Sequence, residues 1–137
     1  MKLEHIGIAV KSIDGQLKVW QDLFGFKVEF DGEVADQGVR VSVLDVGGTK
    51  VELIEPIDMH CSVQRFIEKR GEGLHHLSFE VEDLAKMIGD LKERGIRMID
   101  EVPRKGTRGS SIAFVHPVST GGVLIELCQM AKKDQEE

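Results

Sequence analysis

Two histidines and two glutamates occupy matching positions in the two halves of the chain. His5 and His76 begin the similar segments "HIGIAV" and "HLSFEV", and Glu52 and Glu126 are each the fourth residue after a Gly-Gly pair. A carboxylate in a buried strand is costly unless a charge or hydrogen bonds compensate it. Imidazole nitrogens and carboxylate oxygens together suit Zn, Co, Mn, Ni or Fe and leave coordination positions open for substrate oxygens. The four residues therefore predict a divalent metal site.

Two other residues compete for these roles. His75 directly precedes His76, but strand alternation places it on the apolar face, which favours a hydrogen-bonded structural histidine. Glu55 follows Glu52 by three positions and so falls on the opposite face of its strand. Glu52 and His76 are therefore the preferred ligands.

The elements that position these residues repeat along the chain. Hydrophobic alternation and helical spacing predict a strand, a helix and three strands in each half. The predicted class is α+β, with two βαβββ modules in tandem. The first helix takes Asp14 as its N-cap and the second takes Asp83. The strands of the first module are "EHIGIAV", "FKVEF", "VRVSVLDV" and "KVELIE", and those of the second are "HHLSFEV", "IRMID", "SSIAFVH" and "VLIELCQ".

The predicted boundaries give one domain over residues 1–132. Module one covers about 1–57 and module two about 73–130. Between them, a linker at about 58–72 holds a short helix with Ser62 as its N-cap. The charged residues at 133–137 predict a flexible tail.

Composition limits the classes of function. The chain has 137 residues, of which 41% are apolar and 31% charged, as in ordinary globular proteins. A net charge of −6 argues against a nucleic-acid partner. The chain has two cysteines, Cys61 and Cys128, without CxxC spacing, and no apolar run long enough to span a membrane. We therefore expect a cytoplasmic protein with inert thiols and no membrane partner.

Segments spread over nearly the whole chain carry a family resemblance. They are "HIGIAV", "DQGVRV", "GGTKVELIEP", "FIEKRGEGLHHLSFEV", "MIDEVPRKG" and "FVHPVSTGGVLIELCQ". The chain resembles the vicinal oxygen chelate superfamily of glyoxalase-like metalloenzymes and, within it, the methylmalonyl-CoA epimerase family. "KRGEGLHH" and "HPVSTGGVLIEL" are the most specific segments. The resemblance implies a curved, partly open mixed sheet around a metal site, an acyl-CoA substrate and a homodimer.

The resemblance also implies a cofactor and a reaction. It places the metal ligands at His5, Glu52, His76 and Glu126 and implies one divalent ion per subunit, cobalt first, with zinc, manganese or nickel as alternatives. The reaction interconverts (R)- and (S)-methylmalonyl-CoA by removing the α-proton and returning it on the other face, through a metal-stabilised enolate. We expect Glu126 and Glu52 to exchange this proton as acid and base.

Two loops offer groups for a large anionic thioester. The first holds cationic side chains that could bind its phosphates, although a solvated loop would explain the same charges. The second holds hydroxyls and a backbone N–H that could bind the substrate, although a tight turn would explain the same residues. They are Arg104, Lys105 and Arg108 in the first loop, and Ser119, Thr120 and Gly121 in the second.

Two positions depart from the family pattern. Glu52 stands where some members carry glutamine, which makes the metal site less positive. Val118 stands where many relatives carry the lysine of "HPKST", which removes any contact made by that lysine.

Three rival functions follow from the same fold. Glyoxalase I (lactoylglutathione lyase) would use a similar site of two histidines and two glutamates on a glutathione hemithioacetal. Ring-cleaving dioxygenases use two histidines and one carboxylate around Fe(II), so Glu52 would be a fourth protein ligand there. A non-catalytic drug-binding module would lack the ligand set.

Overall fold

The described chain is an α+β protein, as predicted. The structure is a computed structural model that describes residues 1–132, so the tail predicted at 133–137 lies outside the described residues. The elements within the described range are β1 Lys2–Ala9, α1 Ile13–Leu17, β2 Lys27–Val34, β3 Val39–Asp45, β4 Lys50–Pro56, α2 Ser62–Arg70, β5 Gly73–Glu80, α3 Leu84–Glu93, β6 Arg104–Lys105, β7 Ser111–Val115 and β8 Ile125–Gln129. Among the described residues, no helix combines the length and the apolar character needed to cross a bilayer.

The chain divides into two compact units. The N-terminal unit is Leu3–Leu77, and the C-terminal unit runs from Ser78 onward and includes Met1–Lys2. In the N-terminal unit, neighbouring strands follow the order β2-β3-β4-β1-β5, with β4 antiparallel to β3 and parallel to β1. In the C-terminal unit the order is β5-β8-β7-β6, with β7 antiparallel to both of its neighbours. Along the chain the elements run β1-α1-β2-β3-β4 and, after α2, β5-α3-β6-β7-β8, which is the predicted βαβββ order twice.

Helices α1 and α2 of the N-terminal unit pack against different sets of core residues. The core beside α1 contains Leu44 and Leu53, both fully buried, together with the half-buried Trp20. The core beside α2 contains Val41 and Ile54. Since Leu53 and Ile54 are consecutive in β4, their side chains point to opposite sides of the sheet, and the two helices cover opposite sides.

The first helix begins with a different cap from the one predicted. The Ser12 hydroxyl accepts a hydrogen bond from the Gly15 backbone N–H at 3.0 Å, and Ser12 has extended backbone angles. Asp14 lies inside α1, where its carboxylate instead accepts from Arg40 at 3.1 Å. The prediction of Asp14 as N-cap was wrong because the earlier serine already occupies the capping geometry. A π-helical turn, Lys18–Leu23, continues α1.

The helix predicted in the linker is present as α2, but its cap also differs from the predicted one and lies one position earlier. The Cys61 sulfur accepts from the Gln64 backbone N–H at 3.4 Å, and Ser62 is the first helical residue. Ser62 as N-cap was therefore wrong. Both cysteines are free thiols.

The C-terminal unit confirms one cap and corrects one strand. Asp83 caps α3 by accepting from the Lys86 backbone N–H at 3.1 Å. The predicted strand "IRMID" is shortened to a single bridge, between Met98 and Val115, flanked by backbone hydrogen bonds to Phe114 and His116. The two-residue β6 also pairs with β7.

A tight turn between β3 and β4 leads directly into Glu52. Gly47 and Gly48 have φ angles of 105° and 106°, which side chains other than glycine rarely adopt. Their backbone N–H groups donate to the Asp45 carboxylate at 2.9 and 3.1 Å. The glycine pair at 121–122 has positive φ angles as well, so both repeats use Gly-Gly as a turn before the strand that carries the glutamate.

Removing the Asp45 carboxylate should destabilise this turn in a pH-dependent way. The hydrogen bonds from Gly47 and Gly48 lower the pKa of Asp45. Their contribution is therefore complete above the pKa of the unfolded chain, about 3.9, and is lost as the pH falls through the lower pKa of the folded protein. We expect Asp45→Ala to lower the thermal midpoint at neutral pH, and the gap from the unsubstituted protein to close in acid.

A matched variant isolates the charge. Asp45→Asn keeps an acceptor oxygen that does not titrate, so its difference from Asp45→Ala should stay constant with pH. A gap between the unsubstituted protein and Asp45→Ala that is equally wide at neutral and acidic pH would contradict the assignment.

Candidate metal and catalytic site

Three of the four predicted ligands meet inside the N-terminal unit. One ligand atom from each of His5, Glu52 and His76 lies within 4.8 Å of the other two. The Nε2 atoms of the two histidines are 3.0 Å apart, and Oε1 of Glu52 is 3.7 Å from Nε2 of His5. All three residues are buried, with 3–5% of their surface exposed. The structure thus forms a compact mixed N/O cluster.

The register of β1 and β4 makes room for this cluster. Gly7 of β1 pairs with Glu52 of β4, so the carboxylate has a neighbour without a side chain. A Cβ atom at position 7 would lie 2.2 Å from Cε1 and 2.5 Å from Nδ1 of His76. The imidazole of His76 therefore occupies the space that any side chain at Gly7 would fill.

The protonation of the cluster suits a metal. Burial, assisted by the neighbouring His5 and His75, lowers the pKa of His76 well below its ordinary value. His76 is therefore neutral near pH 7 and keeps a lone pair for coordination. Two buried imidazoles and a buried carboxylate are a donor set that divalent transition metals accept. The residues present fit a divalent ion.

Each cluster histidine also contacts the residue that precedes it. Oε1 of Glu4 is 2.5 Å from Nδ1 of His5, and Nδ1 of His75 is 2.9 Å from Nδ1 of His76. His75 also packs edge-on against Phe66, and burial lowers the pKa of His75 to about 4. The expectation of a hydrogen-bonded His75 is confirmed. Sequence reasoning missed Glu4, whose only signal is an acidic residue directly before the histidine.

Glu55, the competitor of Glu52, serves another purpose. Its Oε1 atom accepts a hydrogen bond from the Ile13 backbone N–H at 2.7 Å. The carboxylate therefore accepts from the first backbone N–H of α1, which has no partner within the helix itself. This contact agrees with the prediction that Glu55 lies on the opposite face of the strand from Glu52. This contact supports the choice of Glu52 for the cluster.

Glu126 belongs to the C-terminal unit, where it is buried in β8. Its register partner on β7 is Phe114, and 5% of Glu126 is exposed. A carboxylate in a buried strand is costly unless a charge or hydrogen bonds compensate it. Its role as fourth ligand and as base stays a prediction.

The two predicted substrate loops also lie in the C-terminal unit. Arg104 and Lys105 are exposed on β6, and Arg104 contacts the Asp100 carboxylate at 3.3 Å. Arg108 is half-buried and has a left-handed backbone, with φ of 55°. These cationic side chains remain candidates for contacts with substrate phosphates.

The hydroxyls of the second loop have structural partners. Ser119 Oγ accepts from the Arg97 backbone N–H at 3.0 Å, and Thr120 Oγ1 donates to the carbonyls of Pro117 and Val123. Gly121 has φ of 73° and is exposed. The hydrogen bonds and backbone angles of the turn account for these groups, and their contact with substrate stays a prediction.

Filling the space beside His76 should weaken metal binding. We expect Gly7→Ala to displace the His76 ring, because the added methyl group overlaps three of its atoms, and to reduce affinity for Zn²⁺ by more than about tenfold. Isothermal titration of metal-stripped protein measures this.

Gly89→Ala is the matched control for this substitution. Nothing lies within 4 Å of a Cβ at position 89, in the middle of α3, so this variant should bind Zn²⁺ as the unsubstituted protein does and be slightly more stable. Equal affinities for Gly7→Ala and Gly89→Ala would show that Gly7 does not shape the metal site.

Known proteins share both the sequence and the fold of this chain. The family model for the Glyoxalase/Bleomycin resistance protein/Dioxygenase superfamily matches residues 4–114. An ethylmalonyl-CoA/methylmalonyl-CoA epimerase of Cereibacter sphaeroides is 32% identical over 131 residues, which are 94% of this chain and 98% of that protein. The crystal structure of methylmalonyl-CoA epimerase from Mycobacterium tuberculosis is 36% identical, with a TM-score of 0.91 over 96% of this chain and 89% of that one.

A further solved structure bears on the ligand of these relatives. It is described as methylmalonyl-CoA epimerase in complex with methylmalonyl-CoA and NH4+, and it is 33% identical, with a TM-score of 0.90 over 98% of each chain. The chain thus belongs to the Glyoxalase/Bleomycin resistance protein/Dioxygenase superfamily and, within it, to the family of the methylmalonyl-CoA epimerases.

Proposed function

We propose that the protein interconverts (R)- and (S)-methylmalonyl-CoA in a metal-dependent reaction. The observation that carries the proposal is the buried cluster of His5, Glu52 and His76 in a chain whose relatives are named for this reaction. A relative's structure described as holding methylmalonyl-CoA supports an acyl-CoA substrate.

The main chemical obstacle is the weakness of the base. A glutamate with a reference pKa of about 4.3 removes a proton from carbon only if the resulting enolate is strongly stabilised. A divalent ion on His5, Glu52 and His76, with Glu126 proposed as fourth ligand, would supply Lewis-acid stabilisation on the order of several kcal/mol. We propose one ion per subunit, with cobalt first and zinc, manganese or nickel as alternatives.

The chain itself must supply an acid and a base. Inversion at the α-carbon needs a group that removes the proton on one face and a second group that donates on the other. Glu126 and Glu52 are the proposed pair, one accepting the proton as a carboxylate and the other returning it from its acid form. Both side chains are buried, which limits competing proton exchange with bulk water.

The proposed surroundings of the site follow from the family. We propose that the cationic side chains of Arg104, Lys105 and Arg108 bind the phosphates of the CoA moiety of the substrate. We further propose that the protein is a cytoplasmic homodimer.

The decisive assay compares two substrates on one preparation. We expect metal-stripped protein to be inactive and to regain epimerase activity, in a coupled assay, on addition of Co²⁺, with smaller recoveries for other divalent ions. A parallel assay with a glutathione hemithioacetal should show no turnover. Turnover of the hemithioacetal alone would replace the proposal with a glyoxalase function.

Glu126→Gln should lower kcat for epimerisation by about 10²- to 10⁴-fold, because an amide neither accepts nor donates the α-proton. In heavy water, proton NMR of the substrate should then show α-proton exchange for one epimer at most. Glu93→Gln, at an exposed position of α3, is the matched control and should retain full activity. Intact epimerisation and exchange in Glu126→Gln would remove Glu126 from the mechanism.

A further inference from the structure

Each histidine of the metal cluster follows directly after a residue that hydrogen-bonds to its Nδ1 atom. Glu4 contacts His5 at 2.5 Å, and His75 contacts His76 at 2.9 Å. Glu4 is itself buried, with 8% of its surface exposed, although a glutamate is rarely buried unless it is paired. Strand β1 therefore adds the buried carboxylate of Glu4 beside that of Glu52 in β4, and Glu4 is not among the proposed ligands.

The contact between Glu4 and His5 determines where a neutral His5 carries its proton. An ionised carboxylate only accepts hydrogen bonds, and a neutral imidazole has one N–H. His5 must then carry its hydrogen on Nδ1, facing Glu4. The lone pair of Nε2 is left facing Glu52 and His76, where the ligand atoms of the cluster converge.

The same reasoning fixes the two remaining rings in the metal-free protein. Nε2 of His5 accepts, so the 3.0 Å contact with Nε2 of His76 requires a hydrogen on the His76 nitrogen. Nδ1 of His76 then has the lone pair and accepts from Nδ1–H of His75. The hydrogen bonds form a one-way chain from His75 through His76 and His5 to Glu4.

We propose that Glu4 is a positioning residue of the metal site, whose carboxylate holds the Nδ1–H tautomer of His5 and so directs the Nε2 lone pair into the cluster. Ligation through Nε2 requires His76 to carry its hydrogen on Nδ1 instead, with His75 as the acceptor. His5 needs no such change, because Glu4 already holds it in the ligating form. The proposal rests on the proposed function only in that the cluster receives a metal ion.

Nitrogen NMR of the metal-free protein tests the tautomers directly. In protein labelled with ¹⁵N in its histidine rings, long-range proton–nitrogen correlations distinguish Nδ1–H from Nε2–H rings. His60→Gln and His116→Gln remove the two histidines outside the hydrogen-bond chain, so that three of the five histidines, His5, His75 and His76, are left to assign. We expect Nδ1–H for His5 and His75 and Nε2–H for His76. Added Zn²⁺ should reverse His75 and His76 and leave His5 unchanged.

Variants at Glu4 link the tautomer to metal affinity. We expect Glu4→Ala to release the Nδ1–H preference of His5 and to weaken Zn²⁺ binding, measured by titration, by about 10- to 100-fold. Glu4→Gln keeps an acceptor oxygen without the charge, so its affinity should fall between those of Glu4→Ala and the unsubstituted protein. Glu33→Gln, at an exposed position of β2, is the matched control and should change neither observable.

Two results would overturn the proposal. One is a metal-free His5 that carries Nε2–H or is protonated on both nitrogens, since in either state Nε2 donates a hydrogen and offers no lone pair to the cluster. The other is an unchanged Zn²⁺ affinity and tautomer in both Glu4 variants. Because these measurements use no substrate, their outcome is independent of the epimerase assay. The proposal for Glu4 can hold in a protein without epimerase activity, and it can be wrong in a protein that has the activity.

Discussion

The burial of Glu52 against two imidazoles is the interaction on which the N-terminal unit depends. The carboxylate has the fully buried Val43 as its neighbour on β3 and Gly7 as its neighbour on β1. Such surroundings disfavour an isolated anion by several kcal/mol, on the order of the desolvation cost of one ion. The imidazoles of His5 and His76 bring polar atoms to this position, and the absence of a side chain at Gly7 lets them approach.

Strand β4 joins this cluster to the rest of the unit. Its Glu52 joins the cluster with His5 and His76, and its Glu55, on the other face, accepts from the first backbone N–H of α1. The turn that precedes it is held by Asp45 and two glycines with positive φ. Both glutamates of this seven-residue strand thus have partners on the face where strand alternation places them.

Strand alternation and the internal repeat were enough to predict the class of fold and the cluster of His5, Glu52 and His76. The caps of α1 and α2 were misassigned because Ser12 and Cys61 lie within two positions of the predicted residues, and backbone torsion angles decide between such neighbours. Glu4 was missed for a related reason: consecutive strand residues point to opposite faces, so alternation predicts no contact between Glu4 and His5.

The edge strand of the C-terminal unit was beyond sequence reasoning for a different reason. The segment "IRMID" has the alternation of a strand, but only Met98 makes a bridge. The charged pair Arg104 and Lys105, which has no strand pattern, forms the two-residue strand that pairs with β7. Which segment occupies a sheet edge depends on backbone partners that its own side chains do not specify.

The residues that precede the two cluster histidines also make the two imidazole rings electronically different. His5 has an acidic partner in Glu4, whereas the partner of His76 is His75, whose low pKa keeps it neutral. A carboxylate partner makes an imidazole a stronger electron donor than a neutral partner does. The different residues before the two histidines thus give two rings of matching sequence position unequal donor strength toward any ion that both would bind.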